Sequence, residues 1–151
     1  MNACAAHPTI IDAPSHKGFG WAWMALCAAL AIHVADEALT DFLSVYNPAV
    51  LAIRTRVPIP LPTFTFNVWL TGLIVGVIVL FSLSCFAFRG ARLMAWLSYP
   101  FAIMMTANGL GHIASSVYMG KLMPGVYSAP LLIAGSIYLL MSVANYRKTK
   151  A

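Results

Sequence analysis

His33, Glu37 and Asp41 follow one another at i, i+4 and i+8, so a helix running through them would present all three on one face. Asp36, at i+3 from His33, would sit beside them. Further along, Asn108 and His112 are again one helical turn apart, with Ser115 and Ser116 just beyond. Imidazole nitrogens and carboxylate oxygens suit zinc, iron or manganese, and a helix carrying a histidine with an acid one turn away is an economical way to offer two ligands at once. His33, Glu37, His112 and Asp41 are therefore candidate ligands, and a divalent metal is the cofactor they would take. Without a metal, carboxylates crowded into low-dielectric surroundings hold protons more tightly, which suits acid or base work or a proton relay. In that role the candidates are His33, Glu37 and His112, with Asp36 and Asn108 orienting them. No serine nucleophile elbow, phosphate loop, Cys-x-x-Cys pair or His-Glu-x-x-His zinc signature occurs.

The elements that must position these groups are transmembrane helices. Of 151 residues, 61% are hydrophobic and 9% charged, against roughly a quarter charged in a soluble domain. Four apolar segments, at about 18–43, 66–88, 93–119 and 126–146, each exceed the run of about 20 residues that crosses a hydrocarbon core of about 30 Å. The expected fold is an all-α integral membrane four-helix bundle, with an N-terminal tail over 1–17 and a basic tail over 147–151. The first segment resembles a signal peptide less than a span, because it continues past a small-residue pseudo-site at Ala29, Leu30 and Ala31 into the patterned polar stretch. Pro100 and Pro130 fall near the starts of their spans, where a missing backbone donor costs least.

Lys17, Arg89, Arg92, Arg147, Lys148 and Lys150 flank one set of span ends, whereas Arg54, Arg56 and Lys121 flank the other. The positive-inside rule then puts both termini in the cytoplasm. The net charge of +5 is spread next to apolar segments, where it meets lipid headgroups rather than nucleic acid. A multi-pass protein of a bacterial inner membrane is the simplest reading. Cys4, Cys27 and Cys85 show no paired spacing and say nothing of the redox compartment. In the outer loop, Asn47 and Pro48 look like an N-cap and first-turn proline of a short interfacial helix, followed by an extended spacer over 57–62. Gly72 and Gly76 form a Gly-x-x-x-Gly pair, expected to serve contact inside the bundle, with oligomerisation through the same face as the alternative.

Depth brings the two polar faces together. His33 lies roughly 21 Å from a boundary at Phe19, and Asn108 and His112 roughly 22 to 28 Å from one at Leu93, at about 1.5 Å per residue. Both sets fall in the outer half of the membrane, and the first and third spans run in the same direction. Three of the four acidic residues and two of the four histidines would converge there. An intramembrane Asp costs about 2.5 to 3.5 kcal/mol near a helix centre, so such groups face a partner or a cavity. A purely structural reading, in which Asp36 and Asp41 cap the span and His33 makes a packing hydrogen bond, explains Asp41 easily. It explains poorly a His and a Glu one turn apart with a second His at matching depth. The short echo of His33-Val34-Ala35 in His112-Ile113-Ala114 hints at two related helix pairs.

His33-Val34-Ala35-Asp36-Glu37 resembles the motif that names the HXXEE domain family, small predicted membrane proteins regarded as transmembrane enzymes. His112, in Asn108-Gly109-Leu110-Gly111-His112, looks like the family's second histidine, and Leu122-Met123-Pro124-Gly125 stands where the family has Tyr-x-Pro-Gly. Asp36 replaces the first Glu, and Leu122 replaces the Tyr, so a hydroxyl at that place would have to come from Tyr118 or Tyr127. The resemblance, over about residues 33–125, implies an enzyme without naming its reaction. The leading expectation is a membrane-embedded enzyme acting on a lipidic or amphipathic substrate that enters from the bilayer. A small proton-coupled transporter and a purely structural membrane subunit are the alternatives.

Overall fold

The computed structural model describes residues 16–148 and is all-helical over them. Its elements are α1 (His16–Leu39), α2 (Leu43–Arg54), α3 (Phe66–Phe88), α4 (Arg92–Met119) and α5 (Ala129–Lys148). Three of these, α1, α3 and α5, are long and apolar enough to cross a membrane. The remaining long helix, α4, has 28 residues but dilutes its apolar run with Asn108, His112, Ser115 and Ser116. Most of the N-terminal tail and the last three residues lie outside the described residues.

Packing runs in the spatial order α3, α1, α5, α4: α1 lies against both α3 and α5, α4 lies against α5, and the α1–α4 and α3–α4 contacts are slight. The core is made by Phe19, Trp23, Leu26, Leu132, Leu139 and Val143, all essentially sealed. Phe19 stacks on Tyr146 at 5.3 Å, whose hydroxyl donates to the Gly90 carbonyl at 2.6 Å, and Trp23 Nε1 donates to the Leu80 carbonyl at 3.0 Å. These bonds tie together the start of α1, the end of α5 and the α3–α4 turn. The outward faces carry Ile74, Val75, Ile78 and Val79 on α3 and Ile103, Met104 and Leu110 on α4. Apolar surface on that scale needs lipid or a protein partner to cover it.

Several local expectations change. The first span does not continue helically to residue 43. The Thr40 hydroxyl bonds back to the Asp36 carbonyl at 2.6 Å, and Asp41 adopts φ +55°, a left-handed conformation that ends the helix. The last helix starts at Ala129 rather than at 126, because Gly125, with φ +80°, holds a turn there. Pro130 then falls in the first turn of α5, whereas Pro100 lies two turns inside α4.

Asn47 is not an N-cap. The helix already begins at Leu43, and the Asn47 amide instead clasps the backbone of Phe64, donating at 2.9 Å and accepting at 3.1 Å. The 57–62 stretch is irregular, as expected, but tightened by one-residue turns from Ile59 N to the Val57 carbonyl and from Leu61 N to the Ile59 carbonyl. The Arg54 guanidinium donates to the Leu61 carbonyl. Gly72 and Gly76 do not pack inside the bundle, since a side chain at either would meet nothing within 4 Å. The close approach is made instead by Gly109, where a Cβ would lie 2.8 Å from Ile133 and 3.0 Å from the Ala129 carbonyl, so α4 and α5 touch nearly backbone to side chain.

Candidate functional site

The last two turns of α1 and the C-terminal half of α4 face each other across the slight α1–α4 contact. The His33 and His112 rings meet edge to face with centroids 4.8 Å apart. Glu37 lies between them: its Oε1 is 3.1 Å from His112 Nε2 and 3.6 Å from His33 Nε2. His33 is fully sealed, and Glu37 and His112 are 6% and 7% exposed. One ligand atom from each residue falls within 4.8 Å of the others.

The hydrogen bonds define which imidazole nitrogens carry protons. Ser128 N and Oγ both donate to the same oxygen of Asp36, Oδ2, at 2.9 and 2.7 Å. With its one proton given to Asp36, Ser128 Oγ accepts from His33, so the 2.8 Å contact is an Nδ1–H donation. His112 Nδ1 lies 2.6 Å from the Pro124 carbonyl, which can only accept, so His112 is also protonated at Nδ1. Both Nε2 atoms therefore turn inward: His33 Nε2 is left to accept, whereas His112 Nε2 and Glu37 Oε1, 3.1 Å apart, need a proton or a cation between them. Asn108 Nδ2 donates to His33 Nε2 at 3.3 Å, which agrees with that assignment.

The carboxylate-to-imidazole separations fit a metal ion, although the three ligand atoms as a set spread over as much as 4.8 Å, so the two rings would draw together on binding one. Metal–ligand bonds of about 2.0 to 2.2 Å in tetrahedral array separate ligand atoms by about 3.3 Å. The two distances from Glu37 Oε1 to the imidazoles, 3.1 and 3.6 Å, bracket that value. Histidine ligands commonly give their second ring N–H to a carboxylate, a carbonyl or a bridging group, and both histidines do so here. Two imidazoles and one carboxylate leave coordination positions open, the pattern of catalytic zinc and of non-haem iron sites.

The sequence-selected residues fare differently. His33, Glu37 and His112 come together, and Asn108 joins them through its amide. Asp36 takes part from one step back, through Ser128 rather than by pointing into the cluster. Asp41 stands apart, because the break after Leu39 removes it from the face it would have shared; it is exposed, and its carbonyl accepts from Ser44 Oγ at 2.8 Å. Ser115 and Ser116 bond back to the His112 carbonyl, and Ser116 Oγ also accepts from Met123 N at 3.0 Å. Tyr118 and Tyr127 are 89% and 67% exposed and supply no hydroxyl to the cluster. Ser128 supplies one instead.

Nothing in the sequence marks Ser128 as part of the cluster. It precedes Ala129-Pro130 and looks like an ordinary N-cap, which masks the long-range use of its hydroxyl. The aromatic cover over the site was also missed: Phe42 packs on His112 at 5.7 Å and on Trp69 at 5.8 Å, with Tyr46 behind it at 5.5 Å. Crowding of aromatics from 42 to 69 was the available signal.

A family model described as a protein of unknown function with HXXEE motif matches residues 23–139, most of the chain. The chain belongs to the HXXEE family. The histidine and acidic residues of the naming motif in this HXXEE protein are His33, Asp36 and Glu37, and each of the three has a defined place: one imidazole, the anchor of its supporting turn, and the carboxylate between the two rings. No curated protein and no solved structure matches the chain significantly.

Proposed function

We propose that this HXXEE protein is a membrane-embedded enzyme in which His33, Glu37 and His112 hold a divalent metal, zinc, iron or manganese. The observation that carries the reading is the convergence of two imidazole Nε2 atoms on one carboxylate oxygen, with both opposite Nδ1 atoms already held by other groups. Such an ion would lower the proton affinity of a bound water and polarise a substrate oxygen, which serves hydrolysis or oxidation. Asn108, whose amide donates beside the ligand nitrogen of His33, would orient an oxygen held at the open position.

α1, α3, α4 and α5 would form a four-helix transmembrane bundle with both termini in the cytoplasm of a bacterial inner membrane. Lys17, Arg89, Arg92, Arg147 and Lys148 share one end of it, and the charge asymmetry supports that orientation. The site then lies in the outer half of the bilayer, where a lipidic or amphipathic substrate could reach it. A proton-coupled carrier is less well supported: below the cluster the interior is mostly apolar, with Trp23, Leu26, Leu139 and Val143, and no further histidine or carboxylate is buried among the described residues.

The test is metal content per chain in gently purified protein, native against a His33→Ala, His112→Ala double variant. Near-stoichiometric metal lost in the variant is the expected result. Metal-free native protein that is folded and still active would replace this reading with metal-free acid-base chemistry.

A further inference from the structure

The two histidines come from different helices, yet the groups that hold their outer nitrogens come from one short stretch of chain. Pro124 supplies the carbonyl for His112 Nδ1 and Ser128 the hydroxyl for His33 Nδ1, both in the 120–128 connection between α4 and α5. Gly125, between them, lies flat against both rings. A Cβ there would fall 2.7 Å from Cε1 and from Nδ1 of His112 and 3.1 Å from Cε1 of His33. With φ +80° as well, the position accepts only glycine without strain.

The connection is itself fastened to both helices. On the α1 side Asp36 Oδ2 accepts the N–H and the hydroxyl of Ser128. On the α4 side Ser116 Oγ accepts from Met123 N. Internal bonds from Val126 N to the Met123 carbonyl and from Ala129 N to the Gly125 carbonyl, both 3.2 Å, keep it rigid. A serine that served only as a helix cap would spend its hydroxyl on its own first turn. Ser128 spends it on a carboxylate and an imidazole of another helix.

We propose that the 120–128 turn is a positioning element that presets both histidines with Nε2 inward, and that Ser128, anchored by Asp36, is the residue that does so for His33. The turn occupies the Nδ1 side of each ring, so a ligand entering the cluster meets only Nε2. The consequence for affinity rests on the metal-site reading above; the consequence for ring protonation does not. Ser128 and Pro124 are positioning residues, acting through the histidines and not touching the ion.

The full chain, labelled with 15N at histidine and held in lipid nanodiscs, tests this by NMR alongside Zn2+ titration against a competing chelator. Native protein should show His33 protonated at Nδ1 and bare at Nε2, and His112 protonated at Nδ1. Ser128→Ala should disturb that signature at His33 and spare it at His112, while Zn2+ affinity falls about 10- to 100-fold with the binding ratio unchanged, the range for loss of a group supporting a ligand. Ser128→Thr, which keeps the hydroxyl, should restore both readings. If Ser128→Ala does not fold, Ser128→Cys, of similar size and a poor acceptor, carries the same two readings. A native His33 signature together with native affinity in the hydroxyl-free variant would overturn the proposal. If native protein binds no Zn2+, the metal reading fails on its own, and the His33 signature alone decides for or against the clamp.

Discussion

The two ends of this helical bundle are built on opposite principles. Toward the chain termini, Phe19, Trp23, Leu26, Leu139 and Val143 interlock in a cluster that holds no histidine or carboxylate. Toward α2, the same helices enclose His33, Glu37, His112 and Asn108, and the polar bonds there cross between helices far apart in the chain. The first end is held mainly by close fit of apolar side chains, with the Trp23 and Tyr146 hydrogen bonds to the Leu80 and Gly90 carbonyls closing it. The second is held by a network in which every buried polar side-chain atom of the described residues finds a partner. A half-satisfied network of that kind would cost more than an apolar core, so its completeness is what permits it.

Separate mutations should break the two ends separately. The largest effect is expected at the cluster: Glu37→Gln or His112→Ala should weaken metal binding by more than about 100-fold, beyond the range for supporting groups. Unfolding in mixed SDS micelles should show a far smaller change in the apolar end. A Glu37→Gln variant that keeps native metal affinity would remove this residue from the site.

Next in size, Leu139→Ala at the sealed end should lower stability by about 2 kcal/mol and leave metal content per folded chain unchanged. In a bilayer only the cavity share of a Leu→Ala loss would apply, since an unfolded side chain would still lie in lipid. Measured metal loss tracking that stability loss would show that the ends are one cooperative unit.

Smaller again is the effect of the aromatic cover. Phe42→Ala should keep the metal and the fold, but let a water-soluble chelator strip the ion several-fold faster, because the ring against His112 is gone. Equal stripping rates would mean that Phe42 does not shield the site. The smallest effect is expected at Gly72→Ala with Gly76→Ala, which should change stability by less than about 0.5 kcal/mol, as neither position touches the rest of the chain. A larger loss, if it depended on protein concentration, would reveal a second copy packed on α3.

How much was legible beforehand follows the range of the interactions. Glu37 could be placed beside His33 because four residues make one turn of a helix, a purely local rule. His112 could be matched to them because rise per residue converts position into depth. The same rule fails for Asp41, two residues beyond the end of α1, where its own left-handed conformation breaks the periodicity. The Gly72 and Gly76 pair was assigned to the interior on spacing alone. Spacing cannot say which way a nearly uniformly apolar helix is rotated: just 11% of the α3 span is buried, against 50% of α1.

What the sequence determined by itself was therefore the set of long apolar helices, the side along which His33 and Glu37 project, and the equal depth of His112. All three depend on backbone geometry that is the same in any helix. What only the tertiary structure decided was which ring nitrogens face inward and what holds them there. Ser128 and His33 are separated by 95 positions. A hydroxyl chooses its acceptor by proximity, and proximity across that separation exists only once α1, α4 and α5 have packed.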